Sequence, residues 1–296
     1  MLWAEGFIAV DWGTTNRRAY LLAADGRLLD EMADDCGVLS VRTGGFPDAV
    51  AAVTARLGDR PMLMAGMVGS NRGWREAPYV PCPAGLPELA QRIHWIEDGR
   101  IGIVPGISFV GDGRADVMRG EEVQILGAYG DGLIGGDATI CHPGTHNKWI
   151  RMEDGRLAAF RTVMTGEIFN LLRRHSILAD LLDGPAEAVS DAFQAGVRHG
   201  LDEDDLTAEL FSIRARVLLG KARREDAASY ASGLLIGSDV RTGLRGAGDG
   251  DIVVIGAPEL TSLFCAALAI AGRPAREIDG ETAFLAGARH LAELVQ

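Results

Sequence analysis

A short block of residues occurs twice in this chain, and the repetition constrains the fold more than any other feature. Near the N-terminus the sequence reads Asp11-Trp12-Gly13-Thr14-Thr15-Asn16-Arg17, and in mid-chain it reads His142-Pro143-Gly144-Thr145-His146-Asn147-Lys148. The shared frame is Gly-Thr-x-Asn-basic, and Asp-Gly-Arg-Leu follows each copy. The offset from Gly13 to Gly144 equals that from Asn16 to Asn147. We therefore expect a duplicated fold with two similar turns, which suit a polyphosphate held from both sides.

Composition narrows the class of protein. The chain has 296 residues, of which 47% are apolar, enough for one large domain or two medium ones with a packed core. Every apolar run falls well short of the roughly 20 residues that span a membrane. The formal net charge of −12 argues against nucleic acid or an anionic membrane as the partner. The 4 cysteines form no CxxC pair, which predicts free thiols in a reducing cytoplasm. The sequence leaves a homodimer open.

The order of predicted elements indicates an α/β fold. A buried strand at 7–11 precedes a turn, a returning strand and a hairpin, and the same series restarts at 137–141. Helices are predicted over 46–57 and 115–129, and 66–87 is predicted to be a long functional loop. Glycines cluster at 126–136. We therefore predict two lobes with mixed sheets, an N-terminal lobe of residues 1–130 and a C-terminal lobe of 131–296, with a cleft between them.

Three glycine-containing turns follow buried strands and are candidates for binding phosphate. They lie at 13–15, 144–146 and 256–258. Glycine lets the backbone approach a phosphate closely, and successive amides form a concave site for anions. Thr14, Thr15 and Thr145 add hydroxyl donors, and Lys148 adds a cation.

Acidic residues occur where phosphoryl transfer would need them. Asp11 ends the first strand beside the first turn, where a carboxylate suits Mg²⁺. The second copy has His142 in that place, so only one turn carries the metal-binding acid. Asp116, Glu121 and Glu122 precede the second copy, and one of them is a candidate to accept a proton from an acceptor hydroxyl. By chemistry alone, acids at a helix N-terminus that stabilise the helix dipole explain this cluster equally well.

The predicted loop contains a second kind of recognition chemistry. Ser70, Asn71, Arg72, Trp74 and Arg75 combine hydrogen-bonding side chains, an aromatic ring and two guanidinium groups. Arginine favours bidentate binding of carboxylates, so an organic acid is the predicted substrate. The alternative is an exposed loop with incidental charges.

These motifs resemble those of a known superfamily. Asp11-x-Gly13-Thr14-Thr15, Gly144-Thr145-x-Asn147 and Gly256-Ala257-Pro258-Glu259 are similar to the first phosphate, second phosphate and adenosine motifs of actin-like ATPases, which include sugar kinases and hexokinases. More specifically, the chain resembles the 2-dehydro-3-deoxygalactonokinase family. The segments on which this resemblance depends are MAGMVGSNRGWREAPYVPCPAG (64–85), DVMRGEEVQILGA (116–128), CHPGTHNKWIRMEDG (141–155), FRTVMTGEIFNLL (160–172) and SGLLIGSDV (232–240).

The resemblance implies two ribonuclease-H-like lobes with mixed sheets and a nucleotide cleft. It implies transfer of phosphate from ATP to the 6-hydroxyl of 2-dehydro-3-deoxy-D-galactonate, giving the 6-phosphate and ADP, as a step of galactonate catabolism with Mg²⁺ as cofactor. Glu121 after Gly120 matches the place of the catalytic base, although many relatives have Asp there, and Asp116 is the alternative. The chain also has Gly256-Ala257 where many relatives have Gly-Gly.

The site residues predicted on this basis fall into two further sets. Those expected to bind ATP are Gly13, Thr14, Thr15, Asn16, Gly144, Thr145, His146, Asn147, Lys148, Gly256, Ala257, Pro258, Glu259 and Leu260. Those expected to bind the sugar acid are Ser70, Asn71, Arg72, Trp74, Thr165 and Gly166. The competing hypotheses are a kinase for a related keto-deoxy acid or a neutral sugar, and an ATP-gated binding protein of the same fold.

Overall fold

A computed structural model describes residues 3–111, 113–187, 189–248 and 250–295. The strands, in chain order, are β1 (Phe7–Trp12), β2 (Arg17–Leu22), β3 (Leu28–Asp34), β4 (Met62–Gly66), β5 (Tyr79–Pro81), β6 (His94–Glu97), β7 (Ile101–Ile103), β8 (Gly106–Gly111), β9 (Arg114–Met118), β10 (Ala138–His142), β11 (Asn147–Glu153), β12 (Arg156–Val163), β13 (Ile252–Gly256) and β14 (Ala275–Asp279). The helices are α1 (Phe46–Leu57), α2 (Leu86–Ala90), α3 (Glu121–Gly130), α4 (Thr165–His175), α5 (Asp191–Asp202), α6 (Leu206–Leu218), α7 (Ala227–Leu244), α8 (Pro258–Ile270) and α9 (Gly280–Val295).

The chain forms two compact units. The first, here the N-terminal unit, contains residues up to Gly136, Met152–Ala159 and the chain from Gly280 onward, and the second, the C-terminal unit, contains Asp137–Arg151 and Phe160–Asp279. The sequence predicted two consecutive lobes, 1–130 and 131–296. The compact units differ from that division because a hairpin segment and α9 pack with the N-terminal unit.

A six-stranded sheet organises the N-terminal unit, in the order β3-β2-β1-β4-β7-β6. The β1–β2 and β2–β3 pairs are antiparallel, whereas β1–β4 and β4–β7 are parallel. All five residues of β4 are buried, as expected for a central strand with parallel neighbours. Helix α1 covers one face, where Phe46, Val50 and Val53 pack with Trp12 and Met64. The sheet is therefore mixed, and β1 ends at its centre beside β4.

A second, three-stranded sheet in the same unit was not predicted. Its order is β5-β8-β9, with β5–β8 parallel and β8–β9 antiparallel. The predicted helix over 115–129 is therefore wrong at its start, because Arg114–Met118 is a strand and α3 begins only at Glu121. The predicted long loop likewise contains β5 and the start of α2. Strand β9 is only five residues long and only Met118 in it is buried, so its apolar pattern is too short to distinguish a strand from a helix.

The C-terminal unit is built on a five-stranded sheet in the order β12-β11-β10-β13-β14. Strand β13 is buried throughout and pairs in parallel with β10 and β14. Helices α5, α7 and α8 pack with the sheet around Trp149, Phe193 and Phe264. A second cluster of buried residues joins α4, α6 and α7. Among the helices of the described ranges, none has the length and apolar content that crossing a bilayer requires.

Helices α5 and α7 approach each other through glycines. A Cβ built on Gly196 or Gly200 would lie 2.2 Å from the carbonyl oxygen of Tyr230 or Leu234, respectively. A Cβ on Gly233 or Gly237 would lie 2.1 or 2.3 Å from a carbonyl oxygen of α5. Backbone fills these spaces, so a methyl group fits only if the helices separate. This close packing places α7 where its side chains reach the sheet.

We predict that Gly237→Ala lowers the free energy of unfolding by about 1–3 kcal/mol, the usual cost of overpacking. In an isolated helix the same change would raise stability, since alanine is the better helix former. Gly248→Ala is the matched control, because nothing lies within 4 Å of the added methyl group. Urea denaturation of both variants measures the difference. Equal stability of Gly237→Ala and Gly248→Ala would show that α5 and α7 are not packed so tightly.

Candidate active site

The first Gly-Thr turn connects β1 to β2, and its carbonyl groups all face one neighbouring segment. The carbonyl oxygens of Gly13, Thr14 and Thr15 accept from the amides of Val38, Leu39 and Gly37 at 3.0, 3.1 and 3.1 Å. A Cβ on Gly37 would lie 2.2 Å from the Thr15 backbone, so only glycine permits this approach. The side chains of Thr14, Thr15 and Asn16 are exposed. Within the described residues the amides of Thr14 and Thr15 have no acceptor, as an anion-binding turn requires.

The second Gly-Thr turn connects β10 to β11 and is fixed by side chains. The Gly144 amide donates to Oδ1 of Asn147 at 2.8 Å, and Nδ2 of Asn147 donates to the buried carboxylate of Asp239 at 2.5 Å. Thr165 donates to the same carboxylate. Burial raises the pKa of Asp239 to about 6, against the opposing effect of its hydrogen bonds. Asn147 and Thr165, predicted as ATP and substrate ligands, therefore lie together behind the turn.

The other predicted residues of this turn differ in exposure. Thr145 is exposed, and its carbonyl oxygen accepts from the Glu167 amide at 2.9 Å. His146 is also exposed, with Nε2 2.5 Å from Oε2 of Glu167. Lys148 is only 5% exposed, and its Nζ donates to Oγ1 of Thr162 at 2.7 Å. Its ammonium group therefore already has a partner, and its predicted phosphate contact stays a prediction.

The predicted adenosine motif lies beside the second turn. Strand β13 ends at Gly256, a Cβ on which would lie 3.6 Å from Pro143, and α8 begins at Pro258. An apolar cavity of about 250 Å³ opens next to it. Its lining joins both motifs and includes Gly144, Asn147, Gly166, Ile236, Glu259 and Leu260. The structure thus brings the second turn, Gly166 and the start of α8 together around one cavity within the C-terminal unit.

Asp11 lies near the end of β1, where two glycines allow a close approach of the chain. Gly66 (φ +92°) and Gly120 (φ +111°) both adopt a backbone conformation that side chains disfavour. A Cβ on Gly120 would lie 3.2 Å from the Gly66 Cα, and a Cβ on Gly66 would lie 3.5 Å from Oδ1 of Asp11. Burial raises the pKa of Asp11 to about 6, Arg18 lowers it and Glu121 raises it further. Asp11 accepts no hydrogen bond from the described residues, so its carboxylate is available to a cation.

Glu121 and Glu122 begin α3 and have different environments. Glu121 is half-buried, and its Oε2 accepts from the Arg119 amide at 3.0 Å. Glu122 is fully buried and both its oxygens accept from the Gly120 amide, at 2.8 and 2.7 Å. Burial raises the pKa of Glu122 to about 8, and the charge of Glu121 adds to the rise. The charge of Glu121 thus contributes to the raised pKa of both Asp11 and Glu122, which places Glu121 within electrostatic range of both groups.

Asp116, the alternative base, lies on a different element. It is in β9, paired with Phe109 of β8, and its Oδ1 accepts from the Val117 amide at 2.8 Å. Asp116 does not contribute to the raised pKa of Asp11 or Glu122, whereas Glu121 contributes to both. The electrostatic effect of Glu121 on Asp11 favours Glu121 as the base, and the choice of base stays a prediction.

The predicted substrate loop forms a compact turn after β4. The Ser70 hydroxyl donates to the Met67 carbonyl at 2.7 Å and accepts from the Arg72 amide at 3.2 Å. Trp74 is half-buried, with its ring 6.4 Å from that of Phe46 and nearly parallel to it. Asn71 and Arg72 are exposed, and Arg72 forms no ion pair with a described residue. Ser70 and Trp74 thus fix the turn, while Asn71 and Arg72 remain accessible to a ligand.

Three residues near the predicted site residues, Asp239, Glu122 and Arg119, were given no separate role from the sequence. Asp239 is the one acidic residue of α7 and is buried, which signals a carboxylate that is paired with hydrogen-bond donors. Glu122 was grouped with the other acids but not distinguished from Glu121. Arg119 lies two residues before Glu121. Its Nη2 donates to the Ala77 carbonyl at 2.7 Å, and its guanidinium group lies 4.4 Å from the Tyr79 ring centroid. It therefore connects the substrate turn to the start of α3.

Comparison with known proteins places this arrangement in a class. The fold matches, with a TM-score of 0.53 and 12% identity, the Clostridium difficile activator of 2-hydroxyisocaproyl-CoA dehydratase, over 98% of this chain and 95% of that one. At that identity the likeness concerns the fold alone, a mixed α/β fold with several mixed sheets. The predicted fold class is thereby confirmed.

Nearer relatives define the family. The family model described as 2-keto-3-deoxy-galactonokinase matches residues 11–291. The 2-dehydro-3-deoxygalactonokinase of Escherichia coli is 38% identical over 98% of both chains. A Sinorhizobium meliloti crystal structure assigned as a 2-dehydro-3-deoxygalactonokinase superposes with a TM-score of 0.90 and 36% identity, covering 97% of each chain. The chain belongs to the 2-keto-3-deoxy-galactonokinase family, and it is a sugar kinase.

The buried carboxyl group of Glu122 predicts a pH dependence of stability. Its pKa is about 8 in the folded chain against an ordinary value of 4.5, so between these pH values the folded state binds the extra proton. The free energy of unfolding should therefore fall as pH rises through this window. In the Glu122→Gln variant the glutamine cannot ionise but still offers an acceptor to the Gly120 amide. We therefore expect the free energy of unfolding of this variant to depend less steeply on pH.

Urea denaturation at pH 5, 6, 7 and 8 measures the effect. Asp11 and Asp239 also have raised pKa values, so a smaller slope remains up to about pH 6. Glu203→Gln, at an exposed position, is the control and should keep the slope of the unchanged protein. A slope in Glu122→Gln as steep as in the control would mean that Glu122 is already ionised at neutral pH.

Proposed function

We propose that the protein transfers the terminal phosphoryl group of ATP to the 6-hydroxyl of 2-dehydro-3-deoxy-D-galactonate, giving the 6-phosphate and ADP. The observation that carries the proposal is the pair of partly buried carboxylates, Asp11 and Glu121, beside a turn whose amides are free for an anion. The family supports the acceptor, since the Escherichia coli relative is named for this sugar acid. The free cysteines and the ATP requirement agree with a cytoplasmic enzyme.

In each unit, backbone amides are proposed to bind phosphate groups. The amides of Thr14 and Thr15 in the N-terminal unit, and those of Thr145 and His146 in the C-terminal unit, have no acceptor among the described residues. Such amides bind anions without the entropy cost of ordering a long cationic side chain. The cavity beside the second turn is apolar along Ile236, Leu260 and Phe264, which suits a purine ring, while Glu259 suits a ribose hydroxyl.

Asp11 fits a divalent cation bound together with the phosphates. Its carboxylate lacks hydrogen-bond donors among the described residues, and burial disfavours its charge by more than Arg18 favours it, so a bound divalent cation would stabilise the ionised form. The described residues contain no group of three or more metal-binding side chains. Mg²⁺ usually takes one or two protein carboxylates and completes its coordination with phosphate oxygens and water, so a single acid is sufficient. The bound cation would supply positive charge against the phosphate groups.

Glu121 is proposed to orient the acceptor and take its proton. As the new O–P bond forms and the bond to the leaving oxygen of ADP breaks, the acceptor hydroxyl loses its proton to Oε1 or Oε2 of Glu121. The hydrogen bond from the Arg119 amide to Oε2 orients the carboxylate. Positioning and neutralisation of charge supply most of the rate enhancement in this reaction class.

The exposed part of the substrate turn is proposed to bind the acid group. Arg72 presents a guanidinium group that forms no ion pair with a described residue, and the Ser70 hydroxyl fixes its backbone through the Arg72 amide. A planar guanidinium pairs with a carboxylate through two hydrogen bonds, which a neutral hexose cannot form. Selectivity for an organic acid over a sugar therefore follows from this turn.

A panel of acceptors tests the proposed function directly. ADP release is measured with 2-dehydro-3-deoxy-D-galactonate, its gluconate epimer, glucose, galactose and no acceptor. We expect turnover with one or both acids and at least about 100-fold lower kcat/KM with the hexoses, since losing a paired carboxylate costs about 3 kcal/mol. Preference for a hexose would identify a neutral-sugar kinase. Phosphate release that is independent of every acceptor would identify an ATP-gated binding protein.

Two single substitutions identify the base. Glu121→Gln keeps the size of the side chain and an acceptor for the Arg119 amide but cannot take a proton. We expect kcat to fall by about 10²–10⁴-fold, the usual contribution of a general base, with ATP affinity largely retained. Asp116→Asn is the matched variant and should change kcat by less than about threefold. The reverse pattern would assign the base to Asp116.

A further inference from the structure

A single buried carboxylate in the C-terminal unit joins three elements. Asp239, on α7, is 1% exposed and accepts from three side chains. Nε1 of Trp149 donates to Oδ1 at 2.7 Å, while Asn147 and Thr165 donate to Oδ2. Trp149 and Asn147 lie on β11, and Thr165 is the first residue of α4. Removing such a carboxylate leaves three buried donors without an acceptor.

The bond from Asn147 fixes the orientation of its amide group. An ionised carboxylate only accepts hydrogen bonds, so the NH₂ group of Asn147 must face Asp239. Its carbonyl oxygen then faces the opposite way and accepts from the Gly144 amide at 2.8 Å. Asp239 thus determines which atom Gly144 meets, although it does not touch Gly144 itself.

The bond from Thr165 fixes the back of the same turn. Gly166 follows Thr165, and a Cβ there would lie 2.4 Å from the Gly144 carbonyl oxygen. The next amide, of Glu167, donates to the Thr145 carbonyl at 2.9 Å. With the Gly144 amide and the Thr145 carbonyl both engaged behind the turn, the amides of Thr145 and His146 are left without acceptors among the described residues.

We propose that Asp239 is a positioning residue for nucleotide binding, which holds the second Gly-Thr turn in its phosphate-binding form through Asn147 and Thr165. This inference rests on the proposed ATP-dependent function. Helix α7 then contributes to ATP affinity through Asp239, although this carboxylate is buried and does not itself reach the nucleotide. The proposal concerns the nucleotide and predicts little effect on the sugar acid.

The test compares Asp239→Ala with two reference variants. Titration calorimetry measures the Kd of a non-hydrolysable ATP analogue, and hydrogen exchange measures protection of the Gly144 amide. In Asp239→Ala we expect Kd to rise about tenfold or more and Gly144 protection to be lost, as follows when a buried donor loses its acceptor. The KM for the sugar acid should change by less than about twofold. Asp202→Asn, which removes an exposed charge, should change none of these quantities.

Trp149→Phe separates positioning from stability. It removes one donor from Asp239 but leaves the Asn147 and Thr165 bonds, so it should lower the melting temperature while Gly144 protection and the Kd of the analogue stay within about twofold. If Asp239→Ala destabilises the chain but binds the analogue with unchanged Kd, the role of Asp239 is structural only and the proposal is wrong. If the unchanged protein does not bind the analogue, it is the proposed function that fails.

Asp239→Asn provides a second variant should Asp239→Ala not fold. An amide at this position cannot accept from both Trp149 and Asn147, so one of the two donors loses its acceptor. Hydrogen exchange at Gly144 shows which one. Affinity for the analogue should fall if Gly144 loses protection and persist if Trp149 is the donor left unpaired. Loss of Gly144 protection with unchanged affinity would contradict the proposal.

Discussion

A turn can present free amides to an anion only if other groups hold the rest of its backbone. In the N-terminal unit the carbonyls of Gly13, Thr14 and Thr15 bond to the amides of residues 37–39. In the C-terminal unit the Gly144 amide and the Thr145 carbonyl are held by Asn147 and Glu167. Both arrangements turn successive amides outward, and the mixed sheets position the segments that make this possible. The two copies of the sequence block therefore share one feature, a pair of backbone amides without acceptors among the described residues. Different contacts support that feature in each unit.

The two units also use buried carboxylates in opposite ways. Burial raises the pKa of both Asp11 and Asp239 to about 6, because removing a charged carboxylate from water has a cost in each case. Asp239 offsets that cost with three side-chain donors, whereas Asp11 has none among the described residues. A carboxylate that the fold leaves uncompensated gains most from a cation. The difference between Asp11 and His142 in the two sequence copies corresponds to this difference in role.

Much of the fold could be predicted from the sequence because its central strands are short apolar runs that end in glycine or acidic residues. Strands β1 and β13 follow such patterns, and both strands and helix α1 lie where expected. Strand β9 could not be predicted, since charged and apolar residues alternate over only four of its positions and its pairing with β8 holds it extended. The role of Asp239 was also hidden, because its partners are 74 to 92 residues away in sequence. Sequence motifs identify the residues that contact a ligand. The residues that position them are joined to them by hydrogen bonds between distant parts of the sequence, which motifs do not show.

The N-terminal unit has a consequence for how this chain matures. The unit includes α9, which packs on α3 so closely that a Cβ on Gly127 would lie 2.2 Å from the Ala283 carbonyl oxygen. Residues of α9 leave the ribosome only after every residue of the C-terminal unit. The C-terminal unit is therefore free to fold first, while the apolar face of α3, including Val123 and Leu126, awaits its partner. The N-terminal unit is therefore completed last, and during synthesis it is the unit whose apolar surface is exposed to chaperones and proteases.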